Sequence, residues 1–140
     1  TMCVSEQKQI EVSTHLEIDF DKLSKIGMSG HKVIPVVVQN AATREVLIVA
    51  YANSEAVAET FKRGEAVFYS TSREELWHKG ATSGDVLAVN EVRINCEQNS
   101  LLYLVTPQGQ GACHTKDESG KFRSGCYYRS VLNNQELKYV

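Results

Sequence analysis

Val33-Ile34-Pro35-Val36-Val37-Val38 and Val46-Leu47-Ile48-Val49-Ala50-Tyr51, parted by the polar run Gln39-Asn40-Ala41-Ala42-Thr43-Arg44, decide the fold of this chain. Both runs are short, apolar and rich in β-branched residues, which suits strands on a buried surface. Two such runs across a short polar break read as a hairpin. Pro35 has no N–H to give to a ladder, so it belongs at an edge or a strand start. Downstream, Asn53 or Ser54 can cap a helix with Glu55 in its first turn. Val57 and Phe61 share a face of that helix, Lys62 and Arg63 close it, and Gly64 stops it. Strands resume at Ala66–Tyr69, Val86–Ile94, Leu101–Val105 and Tyr127–Leu132. Six or seven strands against one clear helix predict a mainly β, α+β domain. The expected architecture is a meandering, strongly bent mixed sheet with one main helix packed on it.

The 140 residues suit a single domain, and 42% hydrophobic with 23% charged residues is ordinary globular composition. Residues 1–31 read as a peripheral N-terminal extension. Within it Ile10 and Val12 alternate with polar residues, and Phe20, Leu23 and Ile26 fit a short helical turn ending near Gly27. Residues 32–132 form the domain and 133–140 a C-terminal tail. Fifteen basic residues against seventeen acidic give a net charge of −2, which excludes a general nucleic-acid binder but not a small anionic substrate. No apolar run approaches the ~20 residues of a membrane span, and the first eight residues lack a signal peptide's apolar stretch. A cytoplasmic chain is expected, and in that reducing compartment disulfides are not.

Cys3, Cys96, Cys113 and Cys126 are then buried thiols, reactive thiols or metal ligands. Neither the 96–113 nor the 113–126 interval is the Cys-x-x-Cys of a zinc finger, so spacing alone leaves the choice open. Free cysteines are commonly small buried hydrophobes. Against that, Cys113 stands in the loop Gly109-Gln110-Gly111-Ala112-Cys113-His114-Thr115, and Cys126 follows Ser124-Gly125. Loop ends suit ligands. Three protein ligands would leave zinc an open position for water, and a three-thiolate site, being a weak Lewis acid, would need a base nearby. His114 is the candidate, the alternative being a surface imidazole bonded to a loop carbonyl. Cys3 or His78 could supply a fourth ligand, which would make the metal purely structural.

A second cluster runs from Phe68 to Gly84 and holds the single tryptophan, Trp77. Arg73 and Lys79 can bind phosphate oxygens, while Gly80 and Gly84 let the backbone approach a ligand. Read in isolation, the stretch is first of all an ordinary solvated loop.

The order Ile34-Pro35, Ser70-Thr71-Ser72-Arg73, Leu76-Trp77-His78-Lys79-Gly80, Thr82-Ser83-Gly84, Ala112-Cys113-His114-Thr115 and Cys126-Tyr127 resembles the phosphoribosyl-AMP cyclohydrolases of histidine biosynthesis, over about residues 32–130. The resemblance implies an intertwined homodimer. It implies zinc held by Cys96, Cys113 and Cys126 across the subunit interface, and a requirement for magnesium. The implied reaction is hydrolysis of the N1–C6 bond in the adenine ring of N1-(5-phosphoribosyl)-AMP, with zinc activating water and His114 helping to deprotonate it. By the same resemblance Ser70, Ser72, Arg73, Trp77, Lys79, Thr82 and Ser83 line the substrate pocket.

The chain departs from the family pattern at several points. Its usual Asp-Cys-Asp-x-Asp run reads Asn95-Cys96-Glu97-Gln98-Asn99, a degenerate magnesium site with one carboxylate of three. The usual arginine between the two serines is Thr71, and the usual glutamate before Thr-Ser-Gly is Ala81. Residues 116–123 form a longer polar loop with an expected flexible tip. Three readings follow: the family reaction with weak magnesium support, a related zinc hydrolase of another nucleotide or N-heterocycle, or a non-catalytic dimer stapled by zinc.

Overall fold

The computed structural model describes residues 9–140; Cys3 lies outside them. Its elements in chain order are α1 (Lys22–Ser29), β1 (Ile34–Asn40), β2 (Val46–Ala52), α2 (Ser54–Arg63), β3 (Val67–Ser70), β4 (Glu75–His78), β5 (Leu87–Ile94), β6 (Leu101–Pro107), β7 (Arg129–Val131) and β8 (Leu137–Tyr139). No helix among the described residues is long and apolar enough to cross a membrane.

The expected hairpin forms: β1 and β2 pair antiparallel, with Val36 opposite Ala50 and a bulge after Val38. Pro35 sits at the strand start, one residue before β1 begins to pair with β6 at Val36–Leu101. The sheet is mixed, in the order β2-β1-β6-β5. It is not the meander expected, because β1 and β6 run parallel and the chain between them makes a long crossover. A propensity pattern marks strands but carries no information on which ones pair, hence the error.

The crossover carries α2 and the β3–β4 hairpin. Asn53 caps α2 through its side-chain oxygen, which accepts from the Ala56 N–H at 2.9 Å, and Gly64 ends it with φ at 69°. The buried face is Ala56 and Thr60, whereas Phe61 is exposed, against the Val57–Phe61 face expected. The reason is a specific bond: the Thr60 hydroxyl accepts from the Val67 N–H at 3.0 Å and donates back to the Ala56 carbonyl at 2.9 Å. This rotates the helix to lock Thr60 onto β3. Strand β4 falls within the stretch whose residues suggest a solvated loop, because its flanking Arg73-Glu74 and its own Glu75 mask the alternation. It pairs in register with β3, placing Phe68 opposite Trp77.

The core lies between the sheet and this crossover layer. Val36, Val38, Leu47, Phe68, Leu87, Tyr103 and Val105 are fully buried, and Phe68 stacks on Tyr103 with centroids 6.0 Å apart. Burial of this kind dominates stability; truncating Phe68 to alanine costs about 3–5 kcal/mol.

The N-terminal segment is tied to the C-terminal one. Residues 9–12, where Ile10 and Val12 alternate with polar residues, are helical. Arg129 donates to the Ile10 and Ser13 carbonyls at 2.7 and 2.8 Å, and Leu137 N–H bonds Thr14 at 2.7 Å. The short helix further on runs past Gly27 to a left-handed Gly30 at φ 80°. The expected terminal strand is trimmed to β7, and residues of the presumed tail form β8, its partner.

Candidate active site

The site is assembled along the outer edge of β2. The Leu47 carbonyl accepts the Cys126 N–H at 2.7 Å, and Ser124 donates to Glu45 at 2.8 Å. Residues 111–115 run beside 123–124: Ala112 N–H bonds Ser124, Cys113 N–H bonds Arg123, and Arg123 N–H bonds Thr115. Gly111 permits the approach, since a Cβ there would lie 2.2 Å from the Arg123 carbonyl. The intervening loop 116–123 has a tip tied together by Asp117, whose carboxylate accepts from Ser119 and from the Lys121 N–H.

This framing brings two of the three expected ligands together. The Cys113 and Cys126 thiols are close enough that each is the largest influence on the other's ionisation. The Cys126 thiol is the largest influence drawing Cys113 down to about 5, aided by the hydroxyl and N–H of Thr115 and opposed by burial. The Thr115 hydroxyl lies 2.9 Å from the Cys113 sulfur. The Cys113 thiol, with burial and the Cys113 charge, pushes Cys126 upward in turn. The pair therefore gives up one proton easily and holds the second.

Lys79 is the third member. It is only 8% exposed, and burial lowers its pKa although Asp85, Cys126 and Cys113 act in the opposite sense. Asp85, buried and unforeseen in the sequence reading, accepts the Gln110 N–H at 2.7 Å and so ties the Cys113 loop to the Lys79 turn. Two glycines make room for it: a Cβ on Gly80 or Gly109 would fall 2.2 or 2.0 Å from Asp85 atoms. Its position beside Gly84 at the head of a strand was the available signal.

His114 projects outward from this loop, and its Nε2 is hydrogen-bonded to the Glu11 carboxylate. Glu11 was not anticipated, because nothing local marks one acid among several in the N-terminal segment. Its charge also reaches Cys126.

Cys96 does not join the pair. It is exposed in the β5–β6 turn, whereas Cys126 lies outside β2, the strand at the other side of the sheet. Three strand spacings separate them, on the order of 14 Å. Among the described residues no three His, Cys, Asp or Glu side chains of one chain form a metal-ligand group. The neighbours of Cys96 are knit together: the Asn95 amide donates to Asn99 at 2.6 Å, and Asn99 donates to Glu97 at 3.2 Å. The Asn95 oxygen already accepts the Asn99 and Ser100 N–H groups.

The expected pocket residues fall into three places. Ser70, Ser72 and Arg73 cluster at the β3–β4 turn, where Arg73 bonds the Ser70 hydroxyl at 3.4 Å. Thr82 and Ser83 are exposed in the turn closed by Gly84 N–H to Gly80, next to Lys79. Trp77 turns toward the core and packs on Phe68 with centroids 5.5 Å apart. His78 pairs with Glu65 at 2.8 Å.

The profile of the family described as phosphoribosyl-AMP cyclohydrolase matches residues 48–128. A phosphoribosyl-AMP cyclohydrolase of Halobacterium salinarum is 45% identical over 118 residues, covering 81% of this chain and 86% of that one. One from Archaeoglobus fulgidus is 44% identical over 120 residues, covering 86% and 97%. The histidine biosynthesis bifunctional protein of Aquifex aeolicus is 37% identical over 114 residues, covering 81% of this chain and 53% of its own length.

Proposed function

This chain belongs to the phosphoribosyl-AMP cyclohydrolase family, and we propose that it hydrolyses the N1–C6 bond of N1-(5-phosphoribosyl)-AMP in the histidine pathway, as a zinc-dependent homodimer in the cytoplasm. The observation that carries this reading is the approach of the Lys79 turn, through Asp85 and Gln110, to the segments that carry Cys113 and Cys126, beside an exposed His114.

The donor set suits zinc. A thiol pair of which Cys113 ionises readily would offer two soft ligands once zinc displaces the second proton, and Cys96 of a second copy would be the third. Cys96 of the same chain is too far, since thiolates sharing a zinc lie within ~2.3 Å of it. A second copy would also cover Val46, Val49, Ile94 and Tyr127, apolar residues now exposed. Bound there, zinc supplies a Lewis acid that makes water nucleophilic near neutral pH.

The chain's own groups do the rest. His114 takes the proton of the water that adds to C6 and returns it to N1 as the N1–C6 bond breaks. Glu11 holds the imidazole in its orientation. Lys79, Thr82 and Ser83 bind polar atoms of the substrate near the reacting ring, and Ser70, Ser72 and Arg73 bind it further out. Trp77 supports the pocket from beneath. The N1-substituted adenine is already cationic and electron-poor, which suits a modest Lewis acid.

Magnesium fits poorly at Asn95, Glu97 and Asn99. Glu97 brings the one carboxylate, and the amide oxygens are committed to N–H donors. That observation favours a second reading, in which the same hydrolytic centre serves another nucleotide. Turnover of phosphoribosyl-AMP, followed by ultraviolet absorbance on protein of known zinc content, tests the choice. Turnover is expected. Its absence from zinc-loaded dimer would reject the family substrate.

A further inference from the structure

A cleft of about 310 Å³ opens between α1 and the β3–β4 turn, away from the thiol–lysine centre. Its two walls are clamped. Gly30 turns the chain out of α1, and the following His31 places Nε2 3.2 Å from Glu74 and Nδ1 3.3 Å from the Tyr69 hydroxyl. Helix and hairpin are thus fastened through one side chain, and the cleft between them is built by tertiary contacts.

The lining is cationic and rich in hydroxyls. Lys22 and Lys25 project from α1 three residues apart, on one face of the helix. Neither makes an ion pair among the described residues. Thr71 and Ser72 face them from the hairpin turn, and Ser29 closes one end. Asp19 also lines the cleft; it leaves an excess of one positive charge over the carboxylate. Mobile ammonium groups with hydroxyl donors opposite are the chemistry that takes a phosphate monoester. The cleft's place along β4 adds a second constraint. Glu75, where the turn ends, and Lys79 are four positions apart, a span of about 14 Å at strand rise. A nucleotide carrying a second ribose phosphate reaches from one to the other.

We propose that this cleft binds one of the two phosphate monoesters of the substrate, with Lys22 and Lys25 as its anchoring cations. The identity of the ligand rests on the proposed function, whereas the affinity of the cleft for a phosphate monoester does not. Lys22 and Lys25 are exposed, so their substitution leaves the fold intact.

The test is the double variant Lys22→Ala/Lys25→Ala in the full chain, beside Lys22→Arg/Lys25→Arg. The KM for phosphoribosyl-AMP should rise about tenfold or more, as loss of charged hydrogen bonds requires, with kcat within about twofold. Inorganic phosphate should inhibit wild type competitively and the alanine variant about tenfold more weakly, and the arginine variant should behave as wild type. Unchanged KM and unchanged phosphate inhibition would overturn the cleft, as would a fall in kcat alone. Should wild type fail to turn over phosphoribosyl-AMP, the functional reading falls separately. Calorimetric titration with AMP then decides the cleft: weaker binding by the alanine variant supports it, and equal affinity rejects it.

Discussion

Glu11 and His114, 103 residues apart in sequence, are joined by a hydrogen bond between the carboxylate and Nε2. The bond is possible because Tyr128, Arg129 and Tyr139 hold the backbone of residues 10–13 against the C-terminal hairpin. A histidine exposed on a loop would otherwise sample many orientations. Here a segment that looked peripheral aims it.

That pairing leads to a graded pair of variants. His114→Asn should lower kcat by about 10²-fold or more, the ordinary worth of a positioned acid–base group. Glu11→Gln should lower it by roughly tenfold with KM and zinc content unchanged, as loss of an orienting partner does. Steady-state turnover with zinc assay separates these outcomes; equal activity of Glu11→Gln and wild type would remove Glu11 from the mechanism.

The thiol pair makes the metal-free protein sensitive to pH. Cys113 ionises near 5 in the fold against 9.0 for a free thiol, so its contribution to stability is full above 9.0 and is lost as pH falls through 5. Cys126 is raised above 9.0, so its contribution is present below that pH and is lost on going higher. Melting temperature in the presence of a chelator should therefore climb from pH 5 to about 9 and then turn down. Cys126→Ala removes the main cause of the Cys113 shift, and the rise below neutral pH should flatten. Thiolate absorbance gives an independent reading: a wild-type protein with no ionising thiol below neutral pH would rule the pair out.

Zinc retention should divide the cysteines by position. Cys113→Ala should release zinc and weaken the dimer. Cys96→Ser should also reduce bound zinc but leave the low-pH thiol of the other pair untouched, because the two sites lie at opposite sides of the sheet. Metal analysis with solution mass is the check; full zinc and unchanged mass in Cys113→Ala would discard the bridging arrangement.

Magnesium should stimulate turnover weakly, given one carboxylate among committed amides. Strong saturable activation at low concentration would reveal other ligands.

Two glycines of one turn should respond differently. Gly80→Ala meets backbone carbon of Asp85 at 2.2 Å and a φ of +82°, whereas Gly84→Ala has a φ of +83° and open space. The first should cost about 2 kcal/mol or more and about 6 °C of melting temperature, the second about 1 kcal/mol. Similar losses would show that backbone conformation, rather than crowding by Asp85, is the constraint.

The strands of the first hairpin and the capped helix at 54–63 were readable from residues, because β-branching and capping are local properties, whereas a shared centre for Cys113 and Cys126 was implied only by the family resemblance. Tertiary structure decided the rest. The parallel pairing of β1 with β6 depends on which apolar faces meet, and alternation along a strand is silent on that. Strand β4 was hidden by charges that its position on the surface tolerates. Asp85 and Glu11 became neighbours of the site only when glycines let backbone pass within van der Waals range and aromatic hydroxyls pinned a distant segment. Cys96 shows the contrast most plainly: the family resemblance implies it as a metal ligand, while the sheet holds it away from Cys113 and Cys126 of the same chain, since a strand spacing of about 4.8 Å is fixed by hydrogen bonding.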